Sequence, residues 1–118
     1  MDETPDFIVF FNKKRQWLNI YIHDVHPITF SNWGGGRWAY FVAKWENPKS
    51  GLFGEIHFVK RGIRESTVVH ELDHARTEWM YANGFTITRQ NEEKMATLLD
   101  SLVGNFYGQY NKRSMDGG

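Results

Sequence analysis

The segment from Glu65 to Ala82, ESTVVHELDHARTEWMYA, has a spacing of apolar residues that is typical of an α-helix. Its apolar side chains recur every three or four residues and fall in one stripe along the helix. The members of that stripe are Val68, Leu72, Ala75, Trp79 and Ala82. Ser66 is a suitable N-cap, and the pair Asn83-Gly84 predicts where the helix ends.

Upstream of this helix, the sequence predicts a β-sheet of about four strands. The strands are expected at 7–11, 17–22, 38–45 and 53–60. Lys13-Lys14-Arg15 lies between the first two and predicts a solvated hairpin turn, while Gly34-Gly35-Gly36 belongs to a predicted loop. In the last strand, Glu55 and His57 should lie on the same face of the sheet.

Downstream of the helix, a second helix is predicted from about residue 91 to residue 110. Its apolar line runs through Met95, Ala96, Leu99, Val103 and Phe106. Strands followed by helices predict the α+β class, with a small antiparallel or mixed sheet packed on two C-terminal helices. The 118 residues suffice for a single domain, 1–118, in which 1–6 and 112–118 are expected to be loose tails.

The composition argues against several classes of function. Lys and Arg together number 14, as do Asp and Glu, so the chain has no basic excess that would bind nucleic acid. Cysteine is absent, so a metal site must use His, Asp or Glu. No apolar run approaches the roughly 18 residues of a membrane span, and the acidic start at 1–6 is unlike a secretory signal. We therefore expect a cytoplasmic protein with no nucleic-acid or membrane partner.

The first predicted helix contains the motif H-E-x-x-H at His70, Glu71 and His74. Residues four apart on a helix project from the same face, so two imidazole nitrogens can reach one Zn²⁺ at about 2.0–2.1 Å. A Glu beside the first His lies next to the metal, where it can take a proton from metal-bound water and pass it to a leaving amine. The alternative is an ordinary wet surface, because both histidines lie opposite the apolar stripe.

Two further observations bear on a metal site. Val69, Met80 and Tyr81 place apolar side chains around the histidine face, which favours a covered functional face over a wet one. Catalytic zinc also needs a third protein ligand. Glu92 falls in the middle of the apolar line predicted for the second helix, where a carboxylate is costly unless it is paired or metal-bound. We predict Glu92 as that ligand and Glu93 as the alternative, although acids also favour the first turn of a helix for dipole reasons.

These residues resemble the gluzincin branch of the zincin metallopeptidases, in which a Glu on a helix after H-E-x-x-H completes the zinc site. Asn91-Glu92 is similar to the Asn-Glu pair of thermolysin-like members, and the short chain resembles small metallopeptidases encoded by phages and prophages. The resemblance covers about 65–108. It implies one zinc ion per chain, Glu71 as general base, Glu92 as third ligand and a peptide or protein substrate. It also implies that the strand 53–60 is the sheet edge on which an extended substrate pairs.

The sequence departs from this family at the residue that orients a zinc-binding imidazole. Thermolysin-like members have an Asp four residues after the ligand Glu, and Ala96 stands there in this chain. Asp100 or a backbone carbonyl would have to orient the zinc-binding imidazole instead. His57, Tyr81 and Tyr107 are candidates for an oxyanion donor or a substrate contact, and a structural role is the alternative for each.

A second function class stays open, in which the chain is a catalytically weak or inactive binding protein on a zincin scaffold. Its support is the aromatic content, five Trp, five Tyr and nine Phe in 118 residues. The aromatic residues that would form the surface for a protein partner are Trp33, Trp38, Tyr40 and Trp45.

Overall fold

The structure is a computed structural model that describes residues 4–11, 16–24, 39–44 and 51–116. Four strands come first: β1 (Phe7–Phe10), β2 (Trp17–His23), β3 (Ala39–Ala43) and β4 (Leu52–Val59). A short 3-10 helix, Lys60–Gly62, leads into α1 (Glu65–Ala82), and α2 (Glu92–Asp116) completes the chain. The predicted turn at 13–15, the glycine loop at 34–36 and the tryptophans at 33, 38 and 45 lie outside the described residues.

The four strands form one mixed sheet in the order β1-β2-β4-β3. β1 and β2 make an antiparallel hairpin, β4 runs parallel to β2, and β3 runs antiparallel to β4. The α+β class and the mixed sheet of about four strands are confirmed. The prediction that 53–60 is the sheet edge is wrong, because Ile56 of β4 pairs with Ile20 on one side and with Phe41 on the other. Within the described residues, β1 and β3 are the edges.

The core lies between one face of the sheet and the two helices. The sheet contributes alternating buried residues, among them Val9, Leu18, Ile20, Ile56 and Phe58. α1 buries Val68, Leu72, Ala75 and Trp79, as its stripe predicts, whereas Ala82 at the end of that stripe is exposed. The opposite face of the sheet carries the intermediate residues of the same strands, including Glu55 and His57.

The buried face of α2 differs in phase from the predicted one. The buried residues are Met95, Leu98, Leu102 and Phe106, whereas Ala96 is exposed and Leu99 and Val103 are only partly buried. At 100° per residue, the buried line is rotated by roughly 60° from the predicted one. Glu92 therefore does not lie in the middle of the buried face. Its side chain is exposed, so its carboxylate has no desolvation cost that a bound metal would have to offset.

The ends of α1 show one wrong and one correct prediction. The N-cap is Arg64, whose side chain makes no capping hydrogen bond, and Ser66 lies inside the first turn. The helix α1 ends at Asn83-Gly84, as predicted. Gly84 has φ of 74°, and its N–H and that of Phe85 donate to the carbonyls of Tyr81 and Met80 at 3.2 and 2.8 Å. This is a Schellman motif, and Phe85 completes it by stacking on Trp79 at 5.6 Å.

Parts of the stretches predicted as loose tails lie within the described residues and make defined contacts there. The Asp6 carboxylate accepts a hydrogen bond from the Ile22 N–H at 2.6 Å and pairs with Arg113. α2 continues through Asp116, so most of the stretch 112–118 is helical. In the described ranges, neither α-helix has a segment both long and apolar enough to cross a membrane.

Candidate metal centre

The structure brings His70, Glu71 and His74 together on α1. One ligand atom from each lies within 4.8 Å of the other two, and this is the one such group of His, Asp and Glu in the part of the chain that the structure describes. The helix produces the arrangement because His70 and His74 are one turn apart, while Glu71 points about 100° away, toward the sheet. Both histidines are exposed, whereas Glu71 is only 6% exposed.

The two imidazoles meet through the atoms that a metal would need. Nε2 of His70 and Nε2 of His74 are 3.1 Å apart, and the rings are perpendicular. With both nitrogens about 2.0–2.1 Å from one zinc ion, that separation gives an N–Zn–N angle of about 100°, near the tetrahedral value. The pair therefore fits a zinc ion. A hydrogen bond between the two rings would account for the same separation.

A groove of about 640 Å³ opens beside the three residues, between α1 and the edge strand β3. Ala39, Tyr40 and Phe41 form the β3 wall. The α1 wall runs from Ser66 to Glu78 and includes His70, Glu71 and His74. Glu71 is the one buried charged residue among the described ones, and it faces this groove rather than the apolar core. Its carboxylate therefore lies at the groove together with the two imidazoles.

Glu92 and Glu93 do not belong to the group formed by His70, Glu71 and His74. Both are exposed in the first turn of α2. Asn91, just before them, is held by local bonds: its Oδ1 accepts from the Thr88 N–H at 2.7 Å, and its Nδ2 donates to the Thr86 carbonyl. The role of third ligand therefore stays a prediction for Glu92 and Glu93, as does an orienting role for Asp100.

The start of α2 is nevertheless fixed against α1. Arg76 donates from Nη1 to the Met95 carbonyl at 3.2 Å, and its Nη2 pairs with Asp73 at 2.5 Å. The Arg76 side chain is 15% exposed, whereas that of Asp73 is 49% exposed, so the bridge is open to water on the Asp73 side. Arg76 therefore joins α1 to the first turn of α2, and its partner Asp73 is the residue just before His74.

None of the three candidates for an oxyanion donor or substrate contact lines the groove. Tyr81 is 72% exposed and follows His74 by two turns of α1. Tyr107 packs against Phe106 and Tyr110, and its burial, followed by the nearby Glu65 carboxylate and the Tyr110 hydroxyl, raises its pKa above the usual 10.0. His57 lies on the sheet face that points away from the helices.

Around His57, the structure shows a cluster that the sequence did not predict. Its imidazole is stacked between Tyr21 of β2 and Tyr40 of β3, each with ring centroids 4.7 Å away. His57 Nδ1 is 3.0 Å from His23 Nε2, and His57 Nε2 is 3.0 Å from the Glu55 carboxylate. The cluster ties three adjacent strands together behind the groove wall. Alternation places these side chains on one face, but their contact depends on β4 lying between β2 and β3.

No protein-family model, curated protein or solved structure matches the chain. The side chains of α1 and the groove beside them are therefore the features that indicate a metal centre.

Proposed function

We propose that this chain is a zinc-dependent hydrolase, most simply a metallo-endopeptidase of minimal zincin type. The observation that carries the proposal is the convergence of His70 Nε2 and His74 Nε2 at 3.1 Å beside a buried Glu71 that faces the same groove. Two exposed histidines alone would suit a wet helix surface. A wet surface alone would not place both imidazoles and the adjacent carboxylate along one groove.

In this proposal each residue of the group has a defined task. His70 and His74 hold one zinc ion through Nε2, and Glu92 or Glu93 supplies a third ligand. A bound zinc ion would supply Lewis-acid chemistry. Glu71 would accept a proton from the attacking water on a carboxylate oxygen and deliver it to the leaving amine nitrogen. Burial holds the Glu71 side chain in one position and keeps bulk water from competing for its proton.

The groove suits an extended polypeptide. Its α1 wall spans Ser66 to Glu78, which is about 18 Å at 1.5 Å per residue. An extended chain rises about 3.3 Å per residue, so roughly five residues would lie along it. The opposite wall is β3, an edge strand, and its outward N–H and C=O groups can pair with a peptide backbone. Substrate pairing is therefore reassigned from β4, which is internal, to β3.

The alternative of a binding protein with an aromatic surface gains no specific support. Of the four aromatic residues considered for that surface, Tyr40 alone is described, and its ring stacks on His57.

The test is the metal content of protein purified without added metal. Wild type should carry about one zinc per chain, and His74→Ala should lose it because one imidazole cannot hold the ion. Thr77→Ala is the matched control, since Thr77 lines the same groove but has no ligand nitrogen. Glu71→Gln should keep the zinc and lose at least about a hundredfold in peptide hydrolysis, the usual share of a general base. Wild type that contains no zinc and takes up none on titration would refute the proposal.

A further inference from the structure

Tyr81 lies in line with the two histidines on α1. It follows His74 by seven residues, which is close to two full turns, so the two side chains project from the same side of the helix. Its ring is 72% exposed, and among the described residues no ring contact or side-chain hydrogen bond involves it. Nothing in the packing of α1 therefore accounts for a large ring at this position.

The residues one turn before Tyr81 form the far end of the groove. Thr77 and Glu78 both line it, and they precede Tyr81 by four and three positions. Side chains on a helix lean toward its N-terminus and cover the turn before their own Cα. The Tyr81 ring does not line the groove itself, but a side chain at this position leans toward Thr77 and Glu78, so it lies next to the far end of the α1 wall and offers an apolar surface there.

The other exposed apolar residues near this end have different surroundings. Phe85 is 42% exposed, but its ring stacks on Trp79 within the Schellman motif on the core side of α1. Ile87 is 61% exposed and lies in the connector to α2, beyond the end of the helix. Of these three residues, Tyr81 alone lies on the histidine side of α1.

The direction of the groove follows from three contacts. α1 begins just after β4, and Trp79 near its end donates a hydrogen bond to Gln16, next to the Trp17 that pairs with the start of β4. α1 therefore runs antiparallel to β4 and in the same direction as β3, which is also antiparallel to β4. A peptide that pairs antiparallel with β3 has its N-terminal end toward Tyr81.

Resting on the proposed function, we propose that Tyr81 forms an apolar subsite that selects a large apolar side chain on the N-terminal side of the cleaved bond. The Cα of Tyr81 is about 13 Å along α1 from the level midway between the histidines, and the ring leans back by up to one turn, about 5 Å. The distance that remains along α1 between the Tyr81 ring and the level of the histidines corresponds to two or three residues of an extended peptide. Tyr81 should contact the substrate side chain at only one of these two positions, because successive side chains of an extended chain point in opposite directions.

Peptide hydroxamates test the subsite because the C-terminal hydroxamate chelates zinc and fixes the register of the peptide. The probes are N-acetyl tetra-alanine hydroxamate and four versions with one Phe at each position in turn. Dissociation constants are measured by calorimetry on the zinc-loaded protein. Wild type should bind one probe, with Phe second or third from the hydroxamate, about tenfold more tightly than the all-alanine probe.

Three variants separate the subsite from the metal centre. Tyr81→Ala should reduce the tenfold preference to within about twofold and leave affinity for the all-alanine probe unchanged. Tyr81→Phe and the matched exposed control Ile87→Ala should both retain the preference. Binding that is equal for all five probes, or a preference that survives Tyr81→Ala, would overturn the subsite and leave the zinc hydrolase standing. No hydroxamate binding to wild type would overturn the proposed function and the subsite with it.

Discussion

Gly54 of β4 lies directly against the ring of Phe41 in the edge strand β3. A methyl group on Gly54 would lie 2.6 Å from Cε1 of Phe41 and 2.7 Å from the carbonyl oxygen of Val42. Both distances are shorter than real contacts, and the carbonyl belongs to the backbone, so β3 itself would have to move. We expect Gly54→Ala to lower the free energy of unfolding by about 1–3 kcal/mol, as overpacking does in well-packed cores. Urea denaturation measures the change.

The matched control is Gly104→Ala in α2, where an added methyl group meets nothing within 4 Å. Alanine is the better helix former, so this variant should gain about 0.5–1 kcal/mol. Phe41 also lines the groove, so Gly54→Ala should disturb ligand binding there as well. Equal stability of the two variants would contradict the close approach of β3 and β4.

The proposed third zinc ligand can be tested with the adjacent pair Glu92 and Glu93. The two side chains project about 100° apart from the first turn of α2, so only one of them can approach a given point. We expect Glu92→Gln to weaken zinc affinity by at least about tenfold, because an amide is a poor zinc ligand, and Glu93→Gln to leave it unchanged. Competition with a chromophoric chelator gives the affinities. If Glu93→Gln weakens zinc affinity and Glu92→Gln does not, Glu93 is the third ligand. If neither variant changes zinc affinity, neither acid is a ligand.

Substitution of two neighbouring leucines tests which face of α2 is buried. Leu98 is 5% exposed and belongs to the buried line, whereas Leu99 is only partly buried. Leu98→Ala should cost about 2–5 kcal/mol of unfolding free energy, and Leu99→Ala clearly less. Chemical denaturation of both variants decides the matter, since the phase predicted from the sequence gives the opposite order.

Tyr107 predicts how stability changes at alkaline pH. Burial, then the Glu65 carboxylate and the Tyr110 hydroxyl, raise its pKa in the folded protein above 10.0. The unfolded chain therefore loses this proton first, so the contribution of Tyr107 to stability is complete below pH 10.0 and is lost as the pH rises through the folded pKa. Urea midpoints between about pH 9 and pH 11 should fall less steeply in Tyr107→Phe than in wild type. Tyr81→Phe, which alters an exposed ring, controls for the loss of a phenol.

The elements of the fold could be predicted from local patterns, but their arrangement could not. Apolar runs and alternation predicted all four strands, and the spacing of Val68, Leu72, Ala75 and Trp79 predicted α1. Nothing in β4 itself indicates that it pairs on both sides, since its buried residues would also suit an edge strand with one face covered. Strand order depends on the whole chain. The stack of His57 with Tyr21 and Tyr40 depends on that order, so it could not be predicted from the sequence either.

The candidate site, too, could be predicted only where its residues are close together in the sequence. His70, Glu71 and His74 are local to one helix, so their spacing sufficed to bring them together. Glu92 was inferred from the phase of α2, and that phase was wrong because Ala96 was counted as buried in place of Leu98 and Leu102. Alanine is found both inside and outside proteins, so it is a weak guide to the buried face of a helix.

The central place of β4 has a consequence for the order in which the chain folds. β1 and β2 are close in sequence and can form their hairpin early, whereas β2 joins the rest of the sheet only by parallel pairing with β4, which brings Trp17 beside the distant Leu52. Pairing between remote segments is slow because a long loop must close first. During synthesis, the hairpin leaves the ribosome with its apolar face uncovered until β4 and both helices have followed. This interval, rather than the finished fold, is when the chain is most exposed to aggregation.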